Sequence, residues 1–159
     1  MGKKFKVLKD NQEKPGWDFS DSKFCEGVEL LHLPTGDYTV EGCEETFIIE
    51  RKRSTGELAI NINQPRFQRE LERLEHFKNP FIICEFTWDD VYSFPVNSNI
   101  PKDKWSELKV TQKYLLSTIL EYQMKYKTKI ILAGDNAKDI ASYLFYKAVN
   151  DGNFNQRRK

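Results

Sequence analysis

Asp37, Glu50 and Lys52 are the residues of this chain whose types and spacing could carry a reaction. Hydrolysis of a phosphodiester with a divalent cation needs carboxylates to hold the ion, a positive group beside the attacking water or the scissile phosphate, and room for a nucleic-acid backbone. Gly36-Asp37 followed by Glu50-Arg51-Lys52 offers that set. Alternate side chains of a strand share a face, so Glu50 and Lys52 point one way and Arg51 the other. Phe47, Ile48 and Ile49 precede Glu50, so this strand starts in a core and emerges at a charged end, where Asp37 from a neighbouring strand can meet it. Taken alone, Glu-Arg-Lys is also a common solvated strand end and Asp37 a common turn residue, and the spacing by itself carries little weight.

The elements that must position these residues can be read from periodicity and turn signals. Phe5 to Leu8 is a short β-prone run feeding the polar stretch Asp10 to Ser22. Val28 to Leu33 is a second strand candidate, closed by the turn signal Pro34-Thr35-Gly36-Asp37. Tyr38 to Val40, a polar turn and Thr46 to Lys52 follow, so this region reads as an antiparallel meander. The period then changes from about 2 to about 3.6, because Phe67, Leu71, Leu74 and Phe77 fall in one stripe of a helix that Pro65 can begin. Phe81 to Phe86 is an apolar run suited to a buried strand, and Thr87 to Lys104 reads as a loop. Lys109 to Tyr126 predicts a long helix, Lys129 to Ala133 a strand, and Ala137 to Asn150 a last helix. Strand, helix, strand, helix in that order favours parallel crossovers at one side of a mixed sheet. Residues 1–152 read as one domain, with a loose basic tail over 153–159.

Composition narrows the class without choosing it. With 39% hydrophobic and 31% charged residues the chain has material for one core under a charged surface. Its 25 basic and 24 acidic side chains nearly cancel, so a nucleic-acid partner must be argued from local patches. Cys25, Cys43 and Cys84 form no CxxC pair and, with only His32 and His76 available, no zinc spacing; they read as reduced thiols. The basic start Met1 to Lys4 is followed by charged residues rather than an apolar run. Neither a secreted nor a membrane-spanning protein is expected; the setting is the cytoplasm of a bacterial or phage-infected cell, or the nucleus of a eukaryote.

Across a larger span the chain resembles the nuclease domain of the XPF-type structure-selective endonucleases. The residues that carry the likeness are Gly36-Asp37-Tyr38, Glu50-Arg51-Lys52, Arg66-Phe67 with Glu70-Leu71 and Arg73-Leu74, and Phe81-Ile82-Ile83-Cys84-Glu85. That family carries a GD…ERKxxxD signature on a restriction-endonuclease-like, PD-(D/E)xK fold. Val7-Leu8-Lys9-Asp10 with Glu13 is similar to its opening strand, which ends in V-D-x-R-E. The resemblance implies an α/β fold with a central mixed sheet flanked by helices, and an Mg²⁺- or Mn²⁺-dependent endonuclease of DNA repair or recombination, acting at branched, flapped or single-strand-to-duplex DNA. It implies that Asp37 and Glu50 ligate the ion, that Lys52 orients or activates water, that Arg51 supports the site or contacts phosphate, and that Asp10 is an additional carboxylate. Gln12 departs from the family's arginine, and Gly56 stands where the last aspartate of the signature belongs, with Glu57 one residue on. The helix-hairpin-helix and helicase units of larger members have no counterpart in these residues.

DNA contacts are expected from Arg66, Arg69 and Arg73, which form one helical stripe, and from Arg53 beside the motif. Glu70, on the same helix, has two readings, leaning toward the metal or pairing with Arg66 or Arg73, and the ion pair is the one expected. The C-terminal helices carry many apolar residues, among them Tyr114, Leu116 and Tyr143, and the resemblance implies a homodimer formed through them. Two other readings stay open: a catalytically inactive nuclease fold that binds DNA or docks a partner, and a general DNA-processing nuclease without structure selectivity.

Overall fold

A computed structural model describes residues 2–151; the basic tail, with Arg157-Arg158-Lys159, lies outside the described residues. A six-stranded sheet runs through the molecule in the order β2-β1-β3-β4-β5-β6. Its strands are β1 (Phe5–Asp10), β2 (Cys25–Leu31), β3 (Tyr38–Val40), β4 (Phe47–Lys52), β5 (Asn79–Cys84) and β6 (Lys129–Leu132). The helices are α1 (Thr55–Asn61), α2 (Pro65–Leu74), α3 (Trp88–Tyr92), α4 (Gln112–Lys125) and α5 (Ala137–Asn150). This is the expected α/β architecture, a mixed sheet with helices on both faces.

β4, β5 and β6 are parallel neighbours, as the alternation of strands and helices requires. β3 runs antiparallel to both of its neighbours, β1 and β4. The meander expectation fails at β2, which pairs in parallel with β1 at the sheet edge instead of with β3. Between β1 and β2 the chain must return to the same end of the sheet, and the 11–24 segment does so without a helix. It covers the sheet with Trp17 and Phe19, both buried against Tyr38.

The two faces of the sheet bury separate cores, and β4 supplies both by alternation. Ile48 belongs to the core under α1, α2 and α4, with Leu58, Phe67, Leu71, Leu115 and Ile119. Phe47 and Ile49 belong to the opposite core with Phe5, Val7, Trp17, Tyr38 and Phe145 of α5. Phe145 touches the rings of Phe5, Phe19, Tyr38 and Phe47. Side chains buried to this degree each contribute roughly 1.5–3 kcal/mol, so the sheet is fixed from both sides.

Periodicity misses the short helices because caps specify them. α1 starts at Ser54, whose Oγ accepts the Glu57 N–H at 3.0 Å. α3, inside the stretch expected to be a loop, starts with a capping box between Thr87 and Asp90. Of the apolar residues on the C-terminal helices, Leu115, Ile119, Tyr122 and Phe145 are consumed by the chain's own cores. Tyr114, Leu120, Met124 and Tyr143 stay exposed, Met124 to 90%. No described helix is long and apolar enough to cross a membrane.

Candidate active site

Asp37 sits at the start of β3, between β1 and β4. The Asp10 N–H donates to its carbonyl at 2.9 Å, and its own N–H donates to the Ile49 carbonyl at 2.8 Å. Its side-chain Oδ2 accepts the Arg51 N–H at 2.7 Å. Asp37 therefore grips β4 on both sides of Glu50. Alternation puts Glu50 and Lys52 on the face of Ile48, under α1 and α2, and Arg51 on the other face. The structure thus brings Asp37, Glu50 and Lys52 to one end of one sheet face.

Glu50 is only 5% exposed, yet its carboxylate has no hydrogen-bond or ion-pair partner among the described residues. Burial pushes the Asp37 carboxyl up to about 6; Glu13 and Asp10 add negative charge in the same direction, while the Arg51 N–H and Lys52 oppose it. Lys52 is buried beneath α1 and α2. Its Nζ donates to Asn61 Oδ1 at 2.8 Å, lies 3.6 Å from Glu57 Oε1 and sits over the Phe67 ring. Burial pulls its ammonium below the ordinary lysine value, against the opposing pull of Glu57 and Asp37.

Glu57 thus places a carboxylate at Lys52 although Gly56 supplies none. The glycine has its own reason: a Cβ at Gly56 would collide with the Ser98 carbonyl, whose oxygen also accepts the Gly56 N–H at 3.2 Å. The 93–101 segment therefore lies directly on the start of α1. Gly56→Ala is expected to cost about 1–3 kcal/mol by overpacking, whereas the same change at an open helix position would gain roughly 0.5–1 kcal/mol. Thermal unfolding of the variant decides the sign.

Arg51 is fixed on the far side of the sheet. Its guanidinium stacks on Trp17, bonds Glu85 through Nε, and through Nη1 reaches Glu13 and the Pro15 carbonyl, each at 2.9 Å. It supports the strand rather than reaching toward the Asp37 face. Arg53, expected at phosphate, is likewise tied inward, to Glu13 Oε1 at 2.7 Å and to the Lys14 and Pro15 carbonyls. The acceptor at the centre of this network is Glu13, which also receives the Tyr38 hydroxyl at 2.6 Å. Its role goes unread in the sequence beyond its place in the opening motif, because a lone glutamate in a loop gives no local sign of three donors arriving from distant strands. Asp10 lies beside Asp37 but spends both oxygens on backbone, accepting Leu33 N–H at 2.9 Å and Gln12 N–H at 3.2 Å.

α2 crosses above this end of the sheet. Arg66, Arg69 and Arg73 are exposed and form no ion pair among the described residues. Glu70 differs from expectation: it pairs with neither Arg66 nor Arg73 but is half-buried. Burial pushes its carboxyl up to about 7; the charge of Asp37 adds to the rise and Arg73 opposes it. The signal for this in the sequence is its position three residues after Phe67, at the flank of the apolar stripe rather than on the outer face.

The donor set suits a hard divalent cation. Two carboxylates on one face, one of them buried with no partner among the described residues, are the kind of oxygen donors that a hard divalent cation takes. Among the described residues no three Asp, Glu, His or Cys side chains converge closely enough to ligate one ion. An ion held by two carboxylates keeps several waters, as Mg²⁺ commonly does.

A family model described as the ERCC4 domain matches residues 10–146. Among solved structures, XPF from Aeropyrum pernix in complex with DNA is 20% identical with a TM-score of 0.63, covering 91% of this chain and 64% of that one. A second structure of XPF from Aeropyrum pernix is also 20% identical, with a TM-score of 0.66, covering 97% of this chain and 65% of that one. The chain therefore spans just under two thirds of the length of these structures, and at this identity they establish the shared fold. No curated protein matches the sequence.

Proposed function

This chain belongs to the ERCC4 domain family, and from that membership and the site geometry we propose that it is a DNA endonuclease, dependent on Mg²⁺ or Mn²⁺, that cleaves at branched, flapped or single-strand-to-duplex junctions. The observation that carries the reading is the grip of Asp37 on β4 either side of Glu50, which sets two carboxylates and Lys52 on one face. Residues 1–152 form the nuclease domain in this reading.

Asp37 and Glu50 hold the cation. When bound, the ion supplies charge stabilisation at the phosphate and a more acidic water. Lys52, with its ammonium tethered by Asn61 and Glu57, donates to the attacking water or to a phosphate oxygen. Its lowered proton affinity makes proton exchange with that water easier than for an exposed lysine. Arg51 and Arg53 act from the other face, holding the end of β4 through Glu13.

Arg66, Arg69 and Arg73 supply the phosphate contacts; they form no ion pair among the described residues and stand on the helix above the site. The DNA bound by one of the similar structures supports DNA as the partner. Replacing any one of the three by alanine is expected to weaken DNA binding evenly across sequences and to lower the slope of log K against log salt by about 1. Fluorescence anisotropy over a salt series checks this. The exposed residues Tyr114, Leu120 and Met124 on α4, and Tyr143 on α5 over the opposite face of the sheet, are the apolar surface that a homodimer through these helices would cover.

The reading is tested by cleavage of labelled linear, flap, fork and four-way substrates with Mg²⁺, with EDTA, and with Glu50→Gln. Metal-dependent cleavage of the junction substrates by wild type alone is expected. Cleavage of linear duplex at the same rate would point to a general nuclease. DNA binding with no cleavage by wild type would point to a catalytically silent module.

A further inference from the structure

We propose that Glu70 is a third carboxylate of the site, placed to accept hydrogen bonds from water around the cation held by Asp37 and Glu50 rather than to ligate the ion itself. The proposal rests on the reading of Asp37 and Glu50 as the ion's ligands.

The placement follows from how α2 lies on the sheet. Phe67, Leu71 and Leu74 are its buried residues and face the core shared with Ile48 and Ile82. At about 100° per residue, Gln68 and Glu70 fall on opposite flanks of that stripe. Gln68 is turned toward α4, where its Nε2 donates to the Tyr122 hydroxyl at 3.0 Å. α4 in turn lies at the β6 side of the sheet, since Gln123 Nε2 donates to the Ile130 carbonyl at 3.0 Å. The Glu70 flank therefore looks across the sheet the other way, past β4 toward β3 and Asp37. The two carboxylates lie within range of one another's charge.

A half-buried acid beside another acid, in no ion pair among the described residues, costs stability that a cation bound between them would offset. Glu50 points independently to the same occupant: a carboxylate 5% exposed and unpartnered, on the face that α2 covers. Among the described residues no three carboxylates approach closely enough to share one ion directly. A hydrated ion would meet both conditions, with Asp37 and Glu50 to hold it and Glu70 to accept hydrogen bonds from its water.

Isothermal titration of the whole chain with Mn²⁺ tests this, using wild type, Asp37→Asn, Glu70→Gln, Glu70→Asp and Glu72→Gln. Glu72 is exposed on the same helix and removes the same charge. Glu70→Gln is expected to weaken Mn²⁺ binding about 10- to 100-fold, Glu70→Asp to recover part of it, and Glu72→Gln to match wild type. Unchanged binding by Glu70→Gln while Asp37→Asn fails to bind overturns the role of Glu70 and leaves the two ligands standing. An equal loss in Glu72→Gln also overturns it, because long-range charge would then suffice. Absence of Mn²⁺ binding by wild type overturns the ligand assignment and this proposal with it. Far-ultraviolet circular dichroism of each variant confirms that the fold is kept.

Discussion

Replacing Asp37 by asparagine is expected to reduce cleavage by at least about 10³-fold, because the several kcal/mol of charge stabilisation supplied through a bound cation go with the carboxylate. The same change is expected to make the metal-free protein more stable at neutral pH. Asparagine is close in size to aspartate and its Oδ1 can still accept the Arg51 N–H that Asp37 Oδ2 accepts at 2.7 Å. What it removes is a charge in a buried, acidic neighbourhood. The Asp37 carboxyl is raised from 3.8 to about 6 in the folded chain, so its stabilising contribution is complete below pH 3.8 and is lost as pH rises through about 6. Wild type and variant should therefore unfold alike near pH 3.5. Their difference should open between pH 4 and 6 and reach on the order of 1 kcal/mol above that, after allowing for solvent screening. Mn²⁺ should reverse the order, since only wild type gains from binding an ion. Melting curves across pH, with and without Mn²⁺, contain the whole comparison; a variant that is less stable at pH 7 without metal would show that Asp37 serves the fold before it serves an ion.

Glu13→Ala is expected to be the most damaging single change to the fold outside the apolar cores. Glu13 is 7% exposed and receives Arg51, Arg53 and the Tyr38 hydroxyl. Truncation leaves the largely buried Arg51 with one carboxylate, Glu85, in place of two, and leaves the Tyr38 hydroxyl without its acceptor. Removing one partner of a buried ion pair costs about 3–5 kcal/mol. The urea midpoint should fall accordingly, and activity should be lost with it because β4 is no longer held at its charged end. Glu13→Gln keeps an acceptor for Tyr38 and should recover part of the loss. A midpoint within error of wild type for Glu13→Ala would mean that Trp17 stacking and Glu85 hold Arg51 unaided.

The same network shows where reading a sequence succeeds and where it stops. Glu50 and Lys52 could be assigned to one face, and Arg51 to the other, because a strand's period of two is local and exact. The start of α2 at Pro65 and the limits of α5 at Ala137 and Asn150 were equally legible, from a proline suited to the first helical turn and from a long apolar stripe. The parallel arrangement of β4, β5 and β6 follows from helices long enough to cross the sheet. β2 was misplaced because strand neighbours are chosen by tertiary packing, here by Trp17 and Phe19 folding under the sheet between two parallel strands. α1 and α3 escaped because a single cap, not a periodic stripe, starts each of them. Arg53 at phosphate and Glu70 beside an arginine follow from the usual rule that exposed charges pair with near neighbours or solvent. The rule fails for Arg53, whose partner Glu13 comes from a loop distant in sequence, and for Glu70, which is half-buried within range of the charge of Asp37.

β4 has Phe47 and Ile49 in one core and Ile48 in the other, with Arg51 and Lys52 continuing the two sides. This makes the segment intolerant of altered length as well as of altered side chains. Adding or deleting one residue ahead of Glu50 would turn the acid toward Trp17 and swing the guanidinium beneath α2, exchanging scaffold and chemistry in a single step. The spacing between Gly36 and Lys52 can absorb extra residues beside the exposed Glu41 and Gly42, ahead of Cys43, which is buried in the core with Phe47 and Phe145, and nowhere within the strand itself.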